Sequence, residues 1–144
     1  MRKLLSILAL LLSFMSPGLM PAAAAAVPED DTRALQEVVR AQLAAFAADD
    51  AERAFSFASQ SIQTLFGTPA QFLRMVRSTY PVVYRPASVM FLHPIPDAAV
   101  VVQPVRMTDG NGAAWVAVYR LERQPDKSWR IAGCTLLPQS GQVI

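Results

Sequence analysis

Cysteine and histidine each occur once in the 144 residues, as Cys134 and His93. That scarcity removes several chemistries. A zinc site needs several Cys or His ligands at close spacing, and H-x-x-H, C-x-x-C and the calcium-loop pattern are all missing, so no metal is expected. A disulfide within the chain needs two cysteines, so the domain has to be held by its core. Cys134 lies in an apolar run, residues 131–137, with no histidine nearby, and reads as a buried, inert thiol rather than a nucleophile or an intermolecular bridge. His93 stands between Leu92 and Pro94 with no carboxylate or nucleophile close in sequence to orient it, so it reads as a loop histidine rather than a general base. G-x-G-x-x-G, the P-loop and G-x-S-x-G are also absent, and no cofactor is expected.

Charge is scarce as well, at 17% of residues, with a formal net charge of +2. Arg2 and Lys3 supply that excess: beyond residue 25, 11 of the 13 cations remain against 11 acids. A chain without net basic charge gives no electrostatic ground for binding nucleic acid or an anionic membrane. The distribution is uneven, since residues 27–52 hold seven acids and two arginines, whereas residues 53–106 hold five arginines and one acid, Asp97. The acidic stretch reads as a solvated helix face.

What the chain does have begins with a short positive segment, an almost unbroken apolar run over residues 4–15, breakers at Pro17, Gly18 and Pro21, and a small-residue tract at residues 22–26. This is the layout of a secretory signal peptide, expected to be cleaved at residues 1–26 and to leave one domain over 27–144 in the periplasm or outside the cell. The run is shorter than the ~20 residues of a membrane span, so no stable membrane insertion is expected after cleavage.

Residue spacing then organises the remainder. Leu35, Val38, Val39, Leu43 and Phe46 recur as one buried helical face, with Asp31 or Thr32 as its expected cap. Gln42 falls inside that stripe, where a polar side chain either braces the structure or looks into a cavity. Asp49 and Asp50 end this helix and cap a second, with Ala54, Phe55, Phe57 and Ala58 and, after a break near Ser59, Ile62 and Leu65 as its buried positions. Thr68-Pro69-Ala70-Gln71 is a capping box that opens a third helix ending near Tyr80, with Arg74 and Arg77 outward. Beyond it, four X-Pro pairs frame extended pieces, and Asp109-Gly110-Asn111-Gly112 marks a hairpin. Pro104 implies an edge strand or a bulge. Trp115, Ala117, Tyr119 and Leu121 share one face by parity, and Trp129 opens the last strand. The expected architecture is α+β, three N-terminal helices packed on a curved antiparallel sheet of about four strands.

Several phrases also resemble a known family. Phe66-Gly67-Thr68-Pro69, Met75-Val76-Arg77, Pro81-Val82-Val83-Tyr84-Arg85-Pro86 and Ser128-Trp129-Arg130-Ile131-Ala132-Gly133-Cys134 are similar to those of an uncharacterised bacterial family of exported proteins, domain of unknown function family 4864. Three helices and a closing Trp-Arg-Ile strand further resemble the nuclear-transport-factor-like, cystatin-like superfamily. The resemblance implies a conical domain with a pocket between helices and sheet, and a homodimer formed through the sheet. It implies no activity, because that scaffold serves enzymes and binding modules alike.

Isomerase or dehydratase chemistry of the ketosteroid-isomerase type, which the superfamily suggests, needs a pocket carboxylate as base. The supply is poor: Asp97 sits in a proline-flanked loop, and the acids of residues 109–126 fall at turns or a strand end. No catalytic residue is therefore assigned. The candidate ligand pocket is built from Gln42 with Arg77, Tyr80, Tyr84 and Arg85, because an arginine fork and a phenol together hold a carboxylate, phosphate or sulfate. In the competing reading Tyr84 packs in the core and Arg85 pairs with an acid of the first helix. The expected function is an exported, non-catalytic module that binds a small molecule or an envelope protein. The alternatives are the cofactor-free isomerase or dehydratase and a structural subunit of an envelope complex. A cavity lined by Gln42, Tyr84 and Arg85 favours ligand binding, a buried carboxylate in it favours the enzyme, and an exposed apolar sheet face favours the partner.

Overall fold

The computed structural model describes residues 25–140, so the expected export segment lies outside the described residues except for Ala25 and Ala26. The sequence suggests three helices, but α1 (Glu29–Ala47), α2 (Ala51–Ser56), α3 (Gln60–Phe66), α4 (Pro69–Thr79) and the single-turn α5 (Pro81–Tyr84) precede the sheet. Helix α1 starts ahead of the expected caps, with Pro28 at the N-cap and no side-chain cap. Glu29, Asp30 and Asp31 fill its first turn, where the helix dipole favours negative charge. Its buried stripe is Leu35, Val39, Gln42, Leu43 and Phe46, with Val38 half-buried.

Helix α1 ends in a Schellman motif. The Asp49 N–H donates to Phe46 O at 3.0 Å and the Asp50 N–H to Ala45 O at 2.8 Å, with Asp49 in the left-handed region at φ 53°. Aspartate tolerates that conformation better than most residues. Asp50 then caps α2, accepting from the Arg53 N–H at 3.1 Å.

The expected second helix is two, because the chain between them is claimed by the sheet. Ala58 forms a parallel bridge to Ile131, with the Ser59 N–H donating to Ile131 O and the Ile131 N–H to Phe57 O, each at 2.8 Å. Ser59 then caps α3 through the Ile62 N–H, and Gln63 Nε2 donates to the carbonyls of Phe55 and Ala58. Leu65, expected in the core, is 73% exposed near the C-terminal end of α3, which has no fully buried residue. Helix α4 is capped as expected, Thr68 accepting from the Gln71 N–H at 3.2 Å. Helix α5 replaces the extended chain expected after Pro81. Proline fits the first position of a helical turn as readily as it ends the helix before it.

Five strands follow: β1 (Ser88–Phe91), β2 (Ile95–Asp97), β3 (Val100–Thr108), β4 (Ala114–Arg123) and β5 (Trp129–Gln139). The sheet is antiparallel in the order β1-β3-β4-β5, with β2 pairing β3 alongside β1. The β3–β4 hairpin turns through Gly112 at φ 81°, and Asp109 Oδ1 accepts from the N–H groups of Asn111 and Ala113.

Pro104 is where the edge reading fails. Strand β3 is internal, bonded to β4 along its length and to β1 and β2 on its other side. Pro104 falls where β1 has ended and β2 has not begun, so its missing N–H coincides with a break in the neighbouring strand. The parity expectation for β4 holds: Ala117, Tyr119 and Leu121 are fully buried against the helices. They pack with Leu35, Val39 and Phe46 from α1 and with Val105 and Met107 from β3.

Candidate functional site

Helices α1, α3 and α4 and strands β4 and β5 line a cavity of about 260 Å³ that opens to solvent beside the exposed Leu65. That is near the lower end of ligand pockets, which run from ~300 Å³ upward. Phe46, Ile62, Phe66, Phe72 and Val76 form apolar walls, and Gln42, Tyr80, Tyr119 and Cys134 bring the polar atoms. No Asp, Glu, Lys or Arg is among the described residues that line it.

The floor is a cross-strand pair, Tyr119 of β4 opposite Cys134 of β5. Tyr119 is 1% exposed, and its hydroxyl is one of two buried side-chain polar atoms without a hydrogen-bond partner among the described residues. The other, Trp129 Nε1, belongs to a residue that does not line the cavity. A buried hydroxyl left without a partner costs about 1–3 kcal/mol, so its presence here calls for a reason. Burial also pushes the phenol well above its ordinary pKa, and the Cys134 thiol adds to the effect through its charge and a weak polar contact that falls short of hydrogen-bond geometry, so Tyr119 is held as a neutral O–H donor. Gln42 both braces and faces the cavity: its Nε2 donates to Ala54 O at 3.1 Å, tying α1 to α2.

Cys134, expected to be buried, is partly buried, and that burial raises its thiol from 9.0 to about 12, partly offset by Tyr119. The folded state therefore holds the proton more tightly than the unfolded chain. The stability that follows is complete below pH 9 and is lost as pH rises towards 12. At pH 8 iodoacetamide should label native Cys134 at least tenfold more slowly than the urea-unfolded chain, and equal rates would show the thiol to be open.

The other candidates divide. Tyr80 lines the cavity beside Gln42. Arg77, Tyr84 and Arg85 do not: Arg77 is exposed on α4, and α5 with its C-cap carries Tyr84 and Arg85 away from the cavity. There the Tyr84 hydroxyl donates to Asp49 Oδ1, and Arg85 Nη2 lies 3.3 Å from Asp49 Oδ2 and 3.2 Å from the Tyr84 oxygen. The guanidinium groups of Arg77 and Arg85 stand 5.4 Å and 4.8 Å from the centre of the Tyr84 ring. Asp49 thus occupies the site an anion would need, and the group works as a clasp between the end of α1 and α5. Its sequence position as a helix terminator concealed this role. Tyr119 was legible as an inward-facing residue. Its place in a cavity was not, since the space depends on how α3 and α4 stand off the sheet.

The model of the family Domain of unknown function (DUF4864) matches residues 28–144. The chain belongs to this family. As a DUF4864 member it carries no activity from the family description, which names none. No curated protein matches the chain. Among solved structures it is similar to an NTF-2 like protein of unknown function from Burkholderia xenovorans LB400. Their identity is 15% and the TM-score 0.48, over 77% of this chain and 87% of that one.

Proposed function

We propose that this DUF4864 domain is an exported, non-catalytic binding module that holds one small, mostly apolar molecule between its helices and its sheet. The unpartnered Tyr119 hydroxyl carries this reading, because a ligand acceptor would supply the missing hydrogen bond. At the ~30 Å³ that one water molecule occupies in the liquid, the volume suits a molecule of roughly nine non-hydrogen atoms. The uncharged lining suits a neutral carbonyl or ether oxygen better than an ionised acid, whose burial here would go uncompensated. The absence of a carboxylate or histidine to act as base among the described lining residues is what favours binding over isomerase or dehydratase chemistry. The export reading rests on the layout of residues 1–26.

Tyr119→Phe tests the assignment, because binding and packing predict opposite signs for it. The ligand-free variant should be more stable by about 1 kcal/mol, or ~4 °C in Tm, since it removes an unsatisfied buried hydroxyl. Its affinity for the retained molecule should fall about tenfold, the value of one lost hydrogen bond. Native and denaturing mass spectrometry of the protein purified from its own host identifies that molecule as a mass lost on unfolding. A bare chain at both stages, together with a less stable variant, would remove the cavity from consideration.

A homodimer through the sheet is the second reading, favoured by the outer face. There Met90, Arg106, Val116 and Leu137 align across four strands by register, with Met90 56% and Leu137 47% exposed. The same native spectrum reads it as a doubled mass, and a monomer at micromolar concentration counts against it.

A further inference from the structure

A second concave surface lies outside the cavity, where α1 passes over the free edge of the sheet. It is an open groove of about 890 Å³ whose walls are Thr32, Gln36 and Arg40 on one side and Val89, Phe91 and His93 on the other. No carboxylate is among its described lining residues.

Three observations determine what fits it. First, β1 is an edge strand, paired only with β3. The Leu92 N–H donates to Pro104 O at 3.0 Å, so by the alternation of an antiparallel ladder the N–H and C=O groups of Val89 and Phe91 point away from β3. Second, Val89 is 39% exposed, and its side chain and that of Phe91 line the groove beside those free backbone groups. Third, Arg40 is the one Arg or Lys among the described residues that line the groove, and like several other surface arginines it has no carboxylate partner there. Its guanidinium lies over the Phe91 ring, with Cζ 4.3 Å from the centre, and donates no side-chain hydrogen bond among the described residues.

A short free strand edge, an apolar wall and an unpaired guanidinium are the elements of strand addition to a groove between sheet and helix. We propose that the groove binds an extended peptide segment of another protein. The segment adds as a strand beside β1 through Val89 and Phe91, and it places a carboxylate on Arg40. That carboxylate is either the peptide's C-terminus or an Asp or Glu side chain. Backbone bonding gives the affinity, and the arginine fixes position and sign of charge.

The probe is a library of random heptapeptides displayed with free C-termini and selected on the purified protein. Selected peptides should carry a carboxylate and should slow hydrogen exchange of the Val89 and Phe91 amides at least tenfold. Arg40→Met, which keeps an apolar stem over Phe91 but removes the charge, should weaken them at least tenfold without lowering Tm. Amidating the peptide's C-terminus distinguishes the two sources: loss of binding marks the terminal carboxylate, and retained binding with the Arg40 effect intact marks a side chain. Failure to select any peptide, or selected peptides that leave Val89 and Phe91 exchange unchanged, would overturn the proposal. So would N-acetylvaline binding as tightly as a heptapeptide, because backbone pairing would then contribute nothing.

Discussion

Phe72→Ala is expected to lower the stability of the domain by about 3–5 kcal/mol, the range for truncating a buried phenylalanine. Phe72 of α4 is 7% exposed, and its ring centre lies 5.9 Å from that of Phe46, 5.4 Å from Phe55 and 5.7 Å from Phe66, all in tilted contact. One ring therefore joins α4 to α1, α2 and α3. These helices are short apart from α1, and helices of six or seven residues have little stability without packing. Against a typical total of about 5–15 kcal/mol, such a loss approaches the whole margin of a small domain. Urea titration should show a lower midpoint with an unchanged slope. Phe72 also lines the cavity, and truncation enlarges a space that already exists. A loss under 1 kcal/mol would mean that α3 and α4 collapse inward, so that the cavity is not held open by its frame.

That cluster also shows how far the sequence could be read. Helical spacing and the capping box identify α1 and α4, because those signals are local: an i, i+3, i+4 stripe, and Thr68 three residues before Gln71. The hairpin at Asp109 is local too. What the sequence does not show depends on distant partners. The division between α2 and α3 comes from Ile131, which takes the backbone at Phe57 and Ser59. Leu65 has the spacing of a core residue but stands at the solvent-exposed rim of the cavity. Of the five candidate site residues, Gln42 and Tyr80 line the cavity. Arg77, Tyr84 and Arg85 lie within nine residues of one another and do meet, yet Asp49 closes them off. Their chemistry was legible but their counter-ion was not. Sequence separation hid it, since Asp49 comes 36 residues before Arg85.

Gln103 should prove energetically coupled to Pro104, and that coupling explains a buried amide the spacing does not anticipate. Gln103 is fully buried on the inner face of β3, and its Nε2 donates to the carbonyls of Leu92 and Pro104 at 2.7 Å each. Its Oε1 accepts from Gln36 Nε2 at 3.1 Å. In a regular ladder Leu92 O would accept from the N–H of residue 104, and proline has none. The neighbouring side chain supplies the missing donor. Gln103→Leu keeps the volume but leaves Leu92 O unpaired and frees the Gln36 amide, at an expected cost of about 2–3 kcal/mol. Pro104→Val alone should change little, within about 0.5 kcal/mol, because its new N–H competes for an acceptor already served. Combined, the two should recover about 1–2 kcal/mol of the Gln103→Leu loss, since the valine N–H then reaches Leu92 O. Additivity within ~0.5 kcal/mol would instead mean that Gln103 acts through Gln36 alone. The physical consequence of the pair is local to the sheet edge. Strand pairing breaks at Pro104 without an unsatisfied carbonyl, so the chain can leave β1 and carry Leu92, His93 and Pro94 outward to form the wall of the groove beneath Arg40.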